Sequence, residues 1–214
     1  MLLSEIVTQL KYGELRSIAV KDDIAAIVSY VNLALLALYS RFDIRTDETI
    51  IDLVTGSSEY TLPSNAILIN NVYNELGQEI SIGDRLSPLS VHVTSYNTIQ
   101  IPYATTGNSY SVIYKAAPTL LTYVDETSLL AAVPVPPQLI ECLLHYVGYR
   151  AHGSMDGNIK AENNTHFMRY EAACQRVEDL GLIRSTPVPA YVNTNESISG
   201  DDTDYEYDST AEIL

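Results

Sequence analysis

Five side chains with metal-binding chemistry stand in the two helical patterns near the end of the chain: Cys142, His145, His152, His166 and Cys174. Thiolate and imidazole are ligands that zinc prefers in proteins. The first three are three and seven residues apart, and so they can share one helix face. Their spacing matches no standard zinc pattern, and each also fits an apolar helix face or its rim. We therefore interpret all five as core or rim residues and expect no cofactor.

Motifs of enzymatic chemistry are missing from the sequence. It contains no glycine-rich phosphate loop, and residues 55–58, Thr-Gly-Ser-Ser, lack the second glycine of a hydrolase elbow. Asp22 and Asp23 form a carboxylate pair, but they stand where a helix should begin and there complement its dipole. No nucleophile, base and orienting group can be combined, so we predict a protein that is not an enzyme. The alternative is a ligand pocket joining His145, His152 and a carboxylate.

The charge balance limits the partners of the chain. The formal net charge is −15 with only 12 basic residues, which argues against sequence-independent binding to DNA phosphates. A negative wall can still line a DNA passage, because it keeps the duplex from adhering. Two cysteines are too few for a disulfide framework and indicate buried thiols in a reducing compartment. No signal peptide or run of ~20 apolar residues is apparent, so we expect no membrane partner.

The segment from residue 185 onward differs from the rest. Pro187 and Pro189 stiffen its start, and no Lys or Arg follows Arg184. Such a segment lacks the apolar residues for a core of its own, so we expect it to lie on a neighbouring protein that presents basic residues. The predicted contacts are acidic and tyrosine side chains and one leucine near the C-terminus: Asp201, Asp202, Asp204, Tyr205, Glu206, Tyr207, Asp208 and Leu214.

Arg169 and Arg176 are seven residues apart in the last helical pattern and share a face of that helix. Solubility is the ordinary role of such exposed arginines. The alternative is a docking edge for an acidic neighbour. In that case the two arginines of an adjacent copy are candidates to receive the acidic segment, and a different protein is the other candidate recipient.

Amphipathic patterns predict four helices. The first begins at Ser4, the expected N-cap, and ends at Lys11 before Gly13. The second begins at Asp22 or Asp23 and ends near Arg41, and its other faces are apolar too, which is typical of a helix packed on several sides. Its expected core stripe is Ile24, Ile27, Val28, Val31, Leu35 and Leu38. The last two helices are predicted over residues 137–152 and 161–180, with Gly181 as the final C-cap.

Residues 44–133 predict an antiparallel segment of about six short strands. Residues 50–54 and 60–62 flank the turn at 55–58 and predict a hairpin. We therefore expect an α+β fold. Residues 1–43 and 134–184 would form a helical bundle, residues 44–133 an inserted antiparallel β lobe, and residues 185–214 an extended acidic C-terminal arm.

Five stretches carry a family resemblance. Residues 20–34 predict part of an early helix and contain a hydrophobic-Asn-x-Ala stretch. Residues 38–42, Leu-Tyr-Ser-Arg-Phe, follow, and residues 59–63 end in Tyr-Thr-Leu-Pro. Residues 114–120 lead out of the strand region, and residues 134–149 predict the helix that follows. In this order they resemble the head-to-tail adaptor proteins of short-tailed bacteriophages, the group that includes tail tubular protein A, or gatekeeper. The resemblance covers roughly residues 3–182 and leaves out the acidic arm.

The resemblance implies a non-catalytic virion protein of the head-tail junction, made in the host cytoplasm. It implies a twelve-fold ring between the portal protein and the tail nozzle, the latter a protein like tail tubular protein B. DNA would pass through the ring without specific binding. The acidic arm lies outside the resemblance, and its expected place along the portal rests on its composition alone. The alternative is another neck or tail component, such as a head-completion or tail-terminator protein.

Overall fold

The computed structural model describes residues 1–84, 87–156 and 165–185. Within these ranges the chain forms four α-helices and two antiparallel sheets, with the strands between the second and third helices. The predicted α+β fold, a helical bundle with an inserted antiparallel β region, is therefore confirmed.

The first two helices are α1, Leu3–Tyr12, and α2, Ile24–Arg41. The predicted Ser4 cap of α1 is wrong, because the helix begins at Leu3 and its N-cap is Leu2, two residues earlier. The Leu2 amide donates instead to the Glu5 carboxylate at 2.8 Å. Asp23 does cap α2, since its carboxylate accepts a hydrogen bond from the Ala26 amide at 3.0 Å.

The last two helices are α3, Ile140–Asp156, and α4, Thr165–Asp179. Pro137 opens the single 3-10 turn that leads into α3, where its missing N–H costs nothing. Gly181 ends α4 with a φ of +60°, a conformation that favours glycine. The Leu182 amide then donates to the Val177 carbonyl at 3.1 Å, which confirms Gly181 as the point where the helix stops.

The four helices share one apolar core. Residues from all of them are buried in it, and α3 packs against both α2 and α4. Leu121, Tyr123 and Leu129, which the sequence groups with the β lobe, also pack against this helical core. The chain therefore returns to the bundle before the 3-10 turn at Pro137.

The seven strands of the described chain form two sheets. They are β1 Thr46–Asp52, β2 Glu59–Thr61, β3 Ala66–Tyr73, β4 Glu79–Ile80, β5 His92–Ser95, β6 Thr98–Gln100 and β7 Ser109–Ala116. One sheet has the order β1-β7-β3-β4, and the other has the order β2-β6-β5. A second apolar core lies between them, formed by Ile51, Leu53, Leu62, Val72, Val91, Ile99, Ile101 and Val112.

The predicted hairpin of residues 50–54 with 60–62 is wrong. Strand β1 pairs with β7, and β2 pairs with β6, where Tyr60 stands opposite Ile99. The turn at residues 55–58 carries the chain from one sheet to the other. This crossing brings Ile51 of one sheet and Leu62 near the other into the same core.

A buried lysine joins the sheets to the bundle. Lys115 of β7 has a side chain that is 1% exposed, and its Nζ donates to the Ser40 carbonyl in the last turn of α2 at 3.0 Å. The same Nζ lies 3.4 Å from Asp43 Oδ1. Burial lowers the pKa of Lys115, and Asp43 opposes that shift. The bundle and the strands are thus connected by a buried ion pair.

Candidate assembly surface

One face of α2 is open to solvent and carries no charge. Its exposed residues recur every three or four positions: Ala25, Ser29, Leu33, Leu36 and Ser40. Leu33 and Leu36 are 38% and 40% exposed. From residue 24 to residue 40 the helix contains no charged side chain. A helix face that remains in water normally carries charged residues, so this one has the character of a contact surface.

The two serines on this face do not make it polar. The Ser29 hydroxyl donates to the Ala25 carbonyl at 3.1 Å, and the Ser40 hydroxyl donates to the Leu36 carbonyl at 2.8 Å. Both hydroxyl protons are therefore used within the helix. A partner that covers the face leaves no donor of these serines unsatisfied.

The opposite side of α2 is buried in the bundle. Ile27, Val31, Leu35 and Leu38 are each 0% exposed. By length and composition alone this 18-residue helix is also apolar enough to cross a membrane. The buried side chains explain why α2 is so apolar. A helix with one face in the core and a second apolar face is as apolar overall as a membrane-spanning helix.

The two arginines singled out in the sequence lie on the outer side of α4. Arg169 and Arg176 are both exposed, and Met168 beside them is 60% exposed. Arg176 Nη1 lies 3.1 Å from Glu141 Oε2 of α3, in a pair that is more than half exposed. Such an exposed pair contributes little to stability and leaves Arg176 able to exchange partners. The predicted contacts of the acidic arm, Asp201 to Leu214, lie outside the described residues.

The candidate zinc ligands separate into two groups that do not meet. Cys142 and Cys174 are both fully buried and free, and they contact each other between α3 and α4. The hydrogen bond between the thiols and their burial raise the pKa of Cys174, which keeps it protonated. Within the described ranges, no three His, Cys, Asp or Glu side chains are placed to hold a metal ion.

The three histidines instead surround Glu14, a residue that the sequence reasoning missed. His145 Nδ1 lies 3.1 Å from Glu14 Oε1, and His166 Nδ1 lies 2.5 Å from Glu14 Oε2. His152 Nε2 is 3.0 Å from the Glu14 carbonyl oxygen, and its ring stacks on that of His166 with centroids 4.5 Å apart. One acidic residue in the turn after α1 thus joins α3 to α4.

Gly148 makes this close approach possible. A Cβ atom at this position would lie 2.9 Å from His166 Nδ1 and 3.1 Å from Glu14 Oε2. The only hint of the Glu14 centre in the sequence is a glycine inside the helical pattern of α3, since glycine there weakens a helix unless a neighbour needs the space. The centre is a structural polar core that fixes the α1 turn against two helices.

A comparison with protein families found a match over most of the chain. The SU10 adaptor protein family matches residues 2–190. The chain belongs to the SU10 adaptor family. The resemblance to head-to-tail adaptors is therefore confirmed for this SU10 adaptor family member. The match includes all four helices and both sheets.

Among solved structures, one matching chain comes from the neck of an empty GTA particle computed with C6 symmetry. It shares 15% sequence identity, with a TM-score of 0.32, and the match covers 81% of this chain and 88% of that one. No curated protein matches the sequence.

Proposed function

We propose that this SU10 adaptor family member assembles into a ring at the neck, joins the portal to the tail nozzle and surrounds the DNA channel. The open face of α2 carries the proposal, because it offers about 22 Å of helix without a charge. Such a face suits a second protein surface and does not suit the phosphates of DNA. A twelve-fold ring is the expectation drawn from the head-to-tail adaptors.

The acidity of the chain supports a passive role toward DNA. With a formal net charge of −15, a ring of many copies presents a strongly negative wall. A wall of that sign repels phosphates and lets the duplex pass without adhering. We expect no sequence-specific contact between the ring and the DNA.

The acidic arm, residues 185–214, serves in this proposal as a docking segment on the portal or on the adjacent copy. Just before the start of the arm, the Asp43 amide donates to the Arg184 carbonyl at 2.8 Å. The arm therefore starts from the junction of bundle and strands. Its acidic and tyrosine side chains suit a basic and partly wet surface.

A test of ring formation replaces the two exposed leucines of α2, Leu33→Glu and Leu36→Glu. A contact that covers this face would bury both carboxylates without a partner charge. Burial that costs about 3 kcal/mol weakens association by roughly 100-fold. We expect the variant to fold, as followed by circular dichroism, and to be lost from the necks of particles in electron micrographs. The matched control is Thr8→Glu with Gln9→Glu on the exposed side of α1, which should assemble normally. Normal necks in the leucine variant would contradict the proposal.

A further inference from the structure

An apolar groove lies open on the β lobe, between β3 and β5. The described residues that line it carry no charge, and its volume is about 210 Å³. On the β3 side Ile67 and Leu68 are 41% and 42% exposed, and on the β5 side Val93 is 54% exposed. Exposed apolar side chains that gather around a groove are typical of a surface that receives another segment of protein.

The groove borders backbone that has no second partner strand in the described chain. Strand β3 pairs with β7 along one side, and on its other side β4 pairs with Val72 and Tyr73. Among the described strands, none lies along this other side of residues 67–71. An open strand edge presents amide and carbonyl groups to a further strand, whose side chains can enter pockets beside that edge.

The start of the acidic arm has the sequence of a strand for such an edge. Residues 186–192 read Thr-Pro-Val-Pro-Ala-Tyr-Val and contain no charged residue. Pro187 and Pro189 are two positions apart, so in an extended strand both nitrogens, which carry no hydrogen, face the same side. The amides of the even-numbered residues from 188 to 192 then face the other side without interruption. Such a segment can pair along one side, as a strand at the edge of a sheet does.

We propose that residues 188–192 add to the open edge of β3 in the same chain and place apolar side chains in the groove. The arm then has two parts. The first is an uncharged anchor on the β lobe, and the second is the acidic part from Glu196 onward, which stays available to a partner. The contact lies within one chain and does not depend on the ring proposed above.

The anchor is long enough to reach the groove. Ser185 forms a β-bridge with Phe42, three residues before Arg45. The Arg45 carbonyl accepts a hydrogen bond from the Ala116 amide, and Ala116 stands opposite Ala66, which lines the groove. Because the chain from Phe42 to Arg45 leads along β1 and the next two steps cross the sheet, Ser185 lies within about 20 Å of Ala66. The seven residues that follow Ser185 span up to about 25 Å when extended.

Disulfide trapping in the full-length chain tests this contact. A chain that carries Ile67→Cys and Val192→Cys is oxidised at low concentration, and the buried native thiols of Cys142 and Cys174 keep the background low. We expect an intrachain disulfide at several times the yield of a control chain with Ile50→Cys and Val192→Cys. Ile50 is an exposed residue of the same sheet, in β1, which an undocked arm can meet as readily.

Two proline variants test which side of the anchor pairs with β3. Ala190→Pro removes an amide from the side that faces β3, so we expect the disulfide yield to fall to that of the control chain. Tyr191→Pro changes the side that already carries two prolines, so we expect the yield to stay largely unchanged.

Three outcomes would overturn the proposal. Equal yields from the Ile67→Cys and Ile50→Cys chains would show that the arm does not dock in the groove. Disulfide-linked dimers in place of the intrachain product would show that the groove receives the arm of a second copy. Equal yields from the two proline variants would exclude the proposed strand pairing. Each outcome leaves the ring to its own test, the leucine variant of α2, because this contact lies within one chain.

Discussion

Glu14 holds three histidines from two helices through its carboxylate and its carbonyl oxygen. Burial lowers the pKa of His166, Glu14 opposes the shift, and the nearby His152 and Arg169 add to it. The native protein therefore favours the neutral imidazole at this position.

The pH dependence of stability follows from that shift. Because the native pKa of His166 lies below its ordinary value of about 6.5, the unfolded chain binds the proton more readily. The contribution of His166 to stability is present above about pH 6.5 and is lost as the pH falls through the lowered native pKa. We expect His166→Asn, whose amide can still reach Glu14, to show a smaller loss of stability between pH 7 and pH 5 than the parent.

Urea unfolding of the two proteins at several pH values measures this difference. The comparison isolates His166, since every other titrating group is common to both chains. Parallel pH profiles for parent and variant would show that His166 carries no part of the acid sensitivity.

At the scale of helices, Arg41 connects the last turn of α2 to α4. Its Nε donates to Glu178 at 2.8 Å and its Nη1 donates to Glu171 at 2.7 Å, with the arginine side chain 25% exposed. The planar guanidinium of Arg41 donates to both carboxylates at once through differently directed N–H groups. The compact ammonium group of a lysine lacks this forked arrangement of donors.

We therefore expect Arg41→Lys to lower the free energy of unfolding by up to about 1.5–3 kcal/mol, the range for hydrogen bonds to charged groups. The control is Arg45→Lys, which changes the pair with Asp47, where the arginine side chain is 46% exposed. That exposed pair should contribute little to stability, so we expect a smaller loss from Arg45→Lys than from Arg41→Lys. Chemical denaturation measures both, and equal losses in the two variants would show that the partly buried network has no special role.

The helices were predictable because their signals are local. Asp23 caps α2, Gly13 and Gly181 follow α1 and α4, and the core stripe of α2 repeats at helical spacing. A capping residue and an apolar face act within a few residues of one another, so the sequence displays both.

The strand pairing and the Glu14 centre were not predictable in the same way. Strand β1 pairs with β7, so Thr46 stands opposite Lys115, which is far from it in the sequence. No pattern among neighbouring residues encodes which strand β1 pairs with. Glu14 is 131 residues from His145 in sequence. A carboxylate in a turn resembles any solvated residue until the fold brings the histidines to it. The N-cap of α1 is Leu2 and not the predicted Ser4, because the Glu5 carboxylate accepts a hydrogen bond from the Leu2 amide.

At the scale of the whole molecule, the proposed docking of residues 185–214 would add a contact to those made by residues 1–184. We expect a chain ending at Arg184 to fold as the parent does and to bind isolated portal protein more weakly, because the acidic and tyrosine contacts are lost. Matched pull-downs of portal by the full-length and shortened chains measure the difference. Equal recovery by both would remove the arm from portal docking and leave the adjacent copy as its recipient.

The uncharged face of α2, with both serine hydroxyls bonded inside the helix, also determines how temperature acts on assembly. Covering such a face releases water from apolar surface, which near 25 °C is favourable through entropy and carries a negative heat-capacity change. Hydrophobic stabilisation weakens on cooling. We therefore expect the proposed ring to be tighter in warm buffer than on ice, and chilled preparations to shift toward single chains.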